Sequence, residues 1–305
     1  MQLSAGRTLA RRRRVNWAAG LFLAPAILML IFIYAGPLLF AFAISFTDWT
    51  GIGWGMNIVG VNNYITMFRE KTMYTVLGNN ARFLVGTVVI QNILGIVLST
   101  FLTRGFRGRN FYRAVFFLPT IITIVAVGMA FGIIFDPVNG PVVYYSKKLG
   151  LDWLAKVRFL GDPKLVMNTI IAVNVWQWTG WNMVVYLAGQ QSIPPELYES
   201  CSIDGASGWQ TFRYVTLPML APAITINIVM TTMGGIRVFD LPFVMTGGGP
   251  GRFSETLAMS IIRNSFALDK MGLGAAMSIV LSIITLCVTM LQNTFLTRRE
   301  EAVKE

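Results

Sequence analysis

The sequence has no histidine, only two cysteines in 305 residues, and only 13% charged residues. Without histidine there is no imidazole general base, no Ser-His-Asp triad and no His metal ligand. Cys201 and Cys287 cannot make a four-cysteine zinc site or a disulfide framework, so no metal site is expected. The charged fraction is about half that of an ordinary soluble domain, too little to solvate a globular surface. What charge remains is lopsided: 25 Lys+Arg against 14 Asp+Glu, a formal net charge of +11. In a chain that is 54% hydrophobic, that excess points to an anionic membrane surface rather than nucleic acid.

Long stretches without Asp, Glu, Lys or Arg supply the rest of the argument, since a bilayer crossing needs about 20 mostly apolar residues. Six such stretches predict helices at about 17–45, 78–103, 111–135, 165–190, 218–246 and 271–297. A basic segment, 1–16, precedes them and a tail, 298–305, follows. The expected fold class is therefore all-α integral membrane, with one transmembrane domain over 17–297. The first stretch has a basic start and an apolar middle, like a secretory leader, but its uncharged run is too long for one, and it reads as a retained helix. Pro25 and Pro37 are compatible with a membrane helix. The span expected from 218 should continue beyond Arg237.

Lys and Arg close to helix ends set orientation. Arg11 to Arg14, and the short segment Arg104-Gly105-Phe106-Arg107-Gly108-Arg109, abut helices directly. With six spans they fall on the same side as both termini, which is expected to be cytoplasmic.

The segment 191–217 is more elaborate than a connector needs to be. Ser192 and Pro194-Pro195 are helix-start signals, and Glu196 and Glu199 suit a helix N-terminal half. Leu197 and Cys201 share a face, with Tyr198 beside them. Asp204-Gly205 marks a sharp turn, because glycine reaches positive φ without a Cβ clash. A second short stretch, 209–215, leads to Pro218. A helix, a fixed turn and another helix together form a docking surface.

This segment resembles the EAA loop of permease subunits of bacterial ABC importers. The matching residues are Glu199-Ser200-Cys201, Asp204-Gly205-Ala206, Phe212 and Leu217-Pro218, with Ser200 and Cys201 standing where the family pattern has two alanines. The stretch Phe239 to Leu257, FDLPFVMTGGGPGRFSETL, is similar to the end of the fifth span in sugar-type permeases of the maltose and glycerol-3-phosphate kind. The resemblance implies an importer permease whose residues Glu199, Ser200, Cys201, Asp204, Gly205 and Ala206 couple to a separate ATPase. ATP and magnesium would bind two copies of that cytoplasmic partner, leaving this chain without cofactor or catalysis. It also implies a second permease, with a heterodimer favoured over a homodimer, and an extracytoplasmic substrate-binding protein. The setting would be the bacterial plasma (inner) membrane. The glycine-rich Gly247-Gly248-Gly249-Pro250-Gly251 lacks the G-K-[ST] of a phosphate-binding loop and reads as an outer turn.

Polar residues inside spans are costly and suggest a solute pathway. Asn174, Gln177, Trp178 and Trp181 fall at i, i+3, i+4 and i+7, on one helical stripe, with Asn182 and Tyr186 nearby. Amides suit hydroxyls and indole faces suit the apolar side of a sugar ring, although the tryptophans also fit an interfacial belt. The fifth span offers Thr231, Thr232, Gly234 and Gly235. The glycines serve a bend, a close approach or room for a ligand. Arg237 and Asp240 are expected to neutralise each other, and Asn79, Asn80 and Arg82 to be interfacial. An ion-coupled secondary transporter is the competing class. It calls for intramembrane carboxylates and inverted repeats, and the spans offer only Asp240 and no evident repeat.

Overall fold

The computed structural model describes residues 20–53, 55–103 and 105–304, with side chains as far as Leu296. Expectations placed on 1–16, on Arg104 and on the side chains of 298–305 lie outside the described residues. The described chain is helical, with one isolated bridge between Thr47 and Ile58. The helices of six or more residues are α1 (Gly20–Ile44), α2 (Asn62–Arg69), α3 (Lys71–Thr103), α4 (Arg109–Ile121), α5 (Ile124–Ile134), α6 (Pro141–Lys148) and α7 (Val166–Gln191). They continue with α8 (Pro195–Ile203), α9 (Gly208–Met219), α10 (Ala221–Ile236), α11 (Asp240–Thr246), α12 (Leu257–Ile262) and α13 (Met271–Lys304).

Three of these, α1, α3 and the first 26 residues of α13, are long and apolar enough to cross a bilayer, and the bent pairs α4–α5 and α9–α10 raise the number to five. At 26 residues α7 is also long enough, about 39 Å at 1.5 Å per residue. Its amides and hydroxyls lower its apolarity, and it is the most buried helix of the bundle.

Two expected straight spans are broken, and proline accounts for where in the second. The stretch expected at 111–135 bends by 92° between α4 and α5. Pro119 lies in the last turn of α4, and Ile122 and Thr123 are extended, with Thr123 capping α5. A helix running unbroken from α10 would drive the Pro242 ring into the carbonyl of Val238, four residues back. The chain instead leaves the helix at Arg237–Phe239 and restarts as α11, so the fifth span does not continue through Arg237 as expected. Pro222 stands in the same relation to Pro218, where α9 and α10 meet at 66°. The second helix also begins at Lys71 rather than at 78.

The bundle core lies where α3 packs along α7, with α4 and α10 against the same pair. Small residues allow the contact. A Cβ on Gly180 would stand 2.1 Å from the Phe116 carbonyl oxygen, and one on Gly95 would stand 2.9 Å from Asn182 Cβ. Phe83, Val127, Ile170, Val173 and Leu241 form the largest apolar cluster. Amide and hydroxyl bonds tie the helices together where lipid offers no partners: Gln190 Nε2 donates to Ser99 and Thr100 hydroxyls, and Gln292 Nε2 to Thr232. Helix α1 touches little of this core, and almost all of its apolar surface is exposed.

Candidate functional site: a polar cavity and a projecting helix-turn

A cavity of about 600 Å3 opens between α3, α7 and α10 and ends at the 237–240 break. Of the residues singled out by sequence, it is lined by Asn174, Trp178, Trp181, Thr231, Gly234 and Gly235. Trp178 and Trp181 are 36% and 41% exposed, with their indoles part of the cavity wall. Asn174 is held from behind, its side-chain oxygen accepting from Gln91 Nε2 at 2.8 Å. The two glycines have different tasks. A Cβ on Gly234 would meet nothing within 4 Å, whereas one on Gly235 would stand 3.0 Å from Leu84 Cδ1 and 3.2 Å from Leu84 Cα. Gly235 therefore lets α10 approach α3, and Gly234 leaves room in the cavity.

Gln177 is not brought to this cavity. It is 1% exposed, and its Nε2 donates to the carbonyl of Ile122 at 3.0 Å, while Thr120 Oγ1 donates to the Gln177 carbonyl. The first of these bonds satisfies a carbonyl freed by the α4–α5 bend, so this amide fastens the bend and does not join the stripe. Sequence reasoning missed Phe83, Thr87, Gln91 and Met230 in the lining, and did not place Asn182, Arg237 or Asp240 there. Asn182 also lines the cavity, but its amide nitrogen is buried away from the cavity surface without a hydrogen-bond partner.

Arg237 and Asp240 do not neutralise each other. The break separates them, and the ion pairs among the described residues are Arg252–Glu255 and Arg263–Glu255. The break itself is fastened. Thr256 Oγ1 donates to the Val238 carbonyl at 2.7 Å, the same carbonyl that Pro242 forces out of the helix. Asn80 Nδ2 donates to the Ile236 carbonyl at 2.9 Å, and Asn80 Oδ1 accepts from the Leu257 N–H at 2.7 Å. Asn79 donates to the carbonyls of Arg252 and Glu255, both at 3.0 Å. Asn79 and Asn80 were expected only as interfacial residues; their bonds lock the end of α3 to the break and to the loop that follows it. Glu255, unremarked in the sequence, is 2% exposed and fully engaged by Arg252, Arg263 and the Ser260 hydroxyl.

A second, larger groove of about 950 Å3 lies between α3, α4 and α7. Its wall is apolar except for Arg82, Asn168 and Thr179, so it lacks the convergent polar groups a hydrophilic solute needs.

At the end of the bundle opposite the break, marked by the Thr103–Gln190 contact and the approach of Gly189 to Ala223, the chain projects outward. Pro195 begins α8, Glu196 lies in its first turn, and Gly205 turns the chain at φ +69°. Ser207 then caps α9 in a reciprocal capping box with Gln210. Ser192 ends α7, its hydroxyl donating to the Gly189 carbonyl, and does not start α8. Glu199, Ser200, Asp204 and Gly205 are exposed, and Cys201 and Ala206 are half-buried. Around them stand Ile203, Trp209 and Tyr214, each more than 70% exposed. The outward tether is slight: the Tyr198 hydroxyl lies 3.4 Å from Thr216 Oγ1.

Residues 91–301 match the family described as binding-protein-dependent transport system inner membrane component. The chain is 34% identical to the probable ABC transporter permease protein YurN of Bacillus subtilis, over 92% of this chain and 97% of that one. It is 31% identical to the probable starch degradation products transport system permease protein AmyD of Thermoanaerobacterium thermosulfurigenes, over 92% and 94%. Among solved structures, a bacterial ABC transporter involved in the import of the acidic polysaccharide alginate superposes with a TM-score of 0.82 at 22% identity, over 95% of this chain and 99% of that one. The same fold occurs in the alginate transporter in complex with an alginate pentasaccharide-bound periplasmic protein, with a TM-score of 0.81 at 22% identity, over 95% and 97%. The chain belongs to the binding-protein-dependent transport system inner membrane components, the permease family of ABC importers.

Proposed function

We propose that this permease forms half of the pathway for a saccharide or related polyol, and that it is driven through the 199–206 turn by a separate ATPase. The observation that carries this reading is the pairing of a polar, indole-walled cavity near one end with an exposed helix-turn at the other. The chain spans the bacterial inner membrane six times, with α7 as the span too polar to register by hydropathy, and both termini face the cytoplasm. Glu199, Ser200, Cys201, Asp204, Gly205 and Ala206 enter a cleft of the ATPase, where burial of Ile203 alone contributes about 1.5–3 kcal/mol. ATP and magnesium are bound by two ATPase copies, and this chain catalyses no hydrolysis. A second permease, related but distinct, closes the cavity, and a binding protein delivers substrate at the 247–270 side. Relatives named for starch degradation products and multiple sugars support a saccharide substrate.

The ion-coupled alternative needs a carboxylate free to exchange a proton or sodium. Glu255 is held by two arginines and a serine and is unsuited to that task, whereas Asp240 stands in the cavity lining without a partner among the described residues, so the energy source of uptake is what separates the two readings. The test is uptake of labelled saccharide into proteoliposomes holding the assembled transporter. Uptake should require ATP and the binding protein and should survive collapse of the proton and sodium gradients. Gradient-driven uptake without ATP would overturn the proposal.

A further inference from the structure

Arg237 and Asp240 are three residues apart, a spacing at which an unbroken helix would bring guanidinium and carboxylate together. The break prevents this. Arg237 ends α10, Phe239 leaves the helical region at φ −134°, and Asp240 begins α11. The carbonyls freed by the break are taken by Asn80 and Thr256, so the interruption is held in place from outside. Both charged side chains are exposed, neither has a hydrogen-bond or ion-pair partner among the described residues, and both line the cavity. They are the only charged residues in its lining among those described, one of each sign.

Resting on the importer reading above, we propose that Arg237 and Asp240 set the charge selectivity of the pathway, accepting an uncharged saccharide and rejecting one that bears a carboxylate or phosphate. A hydroxyl both donates and accepts. A neutral polyol can therefore satisfy the Arg237 donors and the Asp240 oxygens together. An anionic saccharide would pair with Arg237 but set a second negative charge beside Asp240, a like-charge contact that opposes binding. The selectivity is therefore a repulsive element built beside an attractive one. Trp178 and Trp181 supply the apolar wall against which a sugar ring packs.

The binding protein has its own selectivity, so the test separates it from the permease. Calorimetric titration of the assembled, detergent-solubilised transporter without binding protein would use two probes: the neutral alditol of an oligosaccharide that the transporter takes up, and the matching aldonic acid, in which the terminal hydroxymethyl is a carboxylate. Wild type should bind the neutral form tighter by about tenfold or more, on the scale of a like-charge contact in a partly dry site. Asp240→Asn should reduce that preference to within about threefold, and Asp240→Glu should restore it. Arg237→Gln should weaken the neutral ligand and weaken the aldonate at least as much. An unchanged preference in Asp240→Asn, or equal binding of both probes by wild type, overturns the proposal. Failure of the importer reading shows itself elsewhere, as wild-type proteoliposomes that take up no saccharide with ATP and binding protein supplied.

Discussion

Replacement of Asn80 by leucine, nearly its equal in size, tests whether the helix break is a built feature. The side chain makes two bonds that bridge distant parts of the chain: to the Ile236 carbonyl at 2.9 Å and from the Leu257 N–H at 2.7 Å. Ile236 and Leu257 are 3% and 1% exposed, so water cannot easily replace the lost partner of either backbone group. Each group left unsatisfied costs about 1–3 kcal/mol. Together the loss is about 2–6 kcal/mol, with the lower half more realistic if the loop relaxes outward. The cost falls on the joint between α3, α10 and the loop 247–256, where Thr256 and Asn79 alone would then hold the break. Melting of the purified, assembled transporter in detergent should drop by several degrees, and saccharide uptake should fall with it. Arg82→Gln is the control, because Arg82 lies on α3 only two residues away but makes no bond to the break. Melting and uptake of Asn80→Leu equal to those of wild type would refute the claim that this amide fastens the site.

Other consequences concern the cavity and the outer loops. Gly234→Leu should block uptake while leaving melting near wild type, since its side chain enters open space. Gly235→Leu should instead destabilise by about 1–3 kcal/mol, because its Cβ meets the Leu84 backbone at 3.2 Å; uptake and melting of the two variants, measured together, check the distinction. The Asn57 backbone N–H, and then its side-chain amide, hold the Asp48 carboxyl below its ordinary value; the N–H groups of Asn139 and Val138 do the same for Asp136. A carboxyl lowered in the fold stabilises above its unfolded value near 4, and that stabilisation is lost as pH falls through the lower folded value. Hydrogen exchange in segments 48–57 and 136–140 should therefore stay slow from pH 8 to 5 after correction for intrinsic rates, and quicken only below about pH 4. Loosening between pH 7 and 5 would contradict this assignment.

The helical class and the projecting segment were legible because their signals are local. An uncharged run of about 20 residues means a membrane helix whatever surrounds it. Pro195 and Asp204-Gly205 specify a helix and a turn within one short stretch, whereas sequence reasoning missed the Ser207 cap that restarts the chain, and Ser192 does not make the start it suggests. The cavity stripe was read in part. Helical periodicity places Asn174, Gln177, Trp178 and Trp181 near one face, but it cannot say that the α4–α5 bend beside them would claim Gln177. Two of the three bends had a signal that periodicity overlooks, namely Pro222 and Pro242, each set against a carbonyl four residues back. Asn79, Asn80 and Glu255 could not be found in this way. Their partners lie more than 150 residues distant for both asparagines, and Glu255 draws its meaning from the burial of a whole loop. Arg237 and Asp240 were misread for a related reason: their pairing assumed a continuous helix.

Coupling through the 199–206 turn is the account's central claim, and uptake by a Gly205 variant tests it most directly. Gly205 sits at φ +69°, and a Cβ there would meet nothing within 4 Å. A substitution therefore strains the turn without a clash. Valine should cost about 1–2 kcal/mol in the left-handed region, which asparagine tolerates far better. Gly205→Val should insert and assemble like wild type yet lose ATP-driven uptake, and Gly205→Asn should retain most of it. Normal uptake by Gly205→Val, with the protein present at wild-type levels in the membrane, would contradict the account.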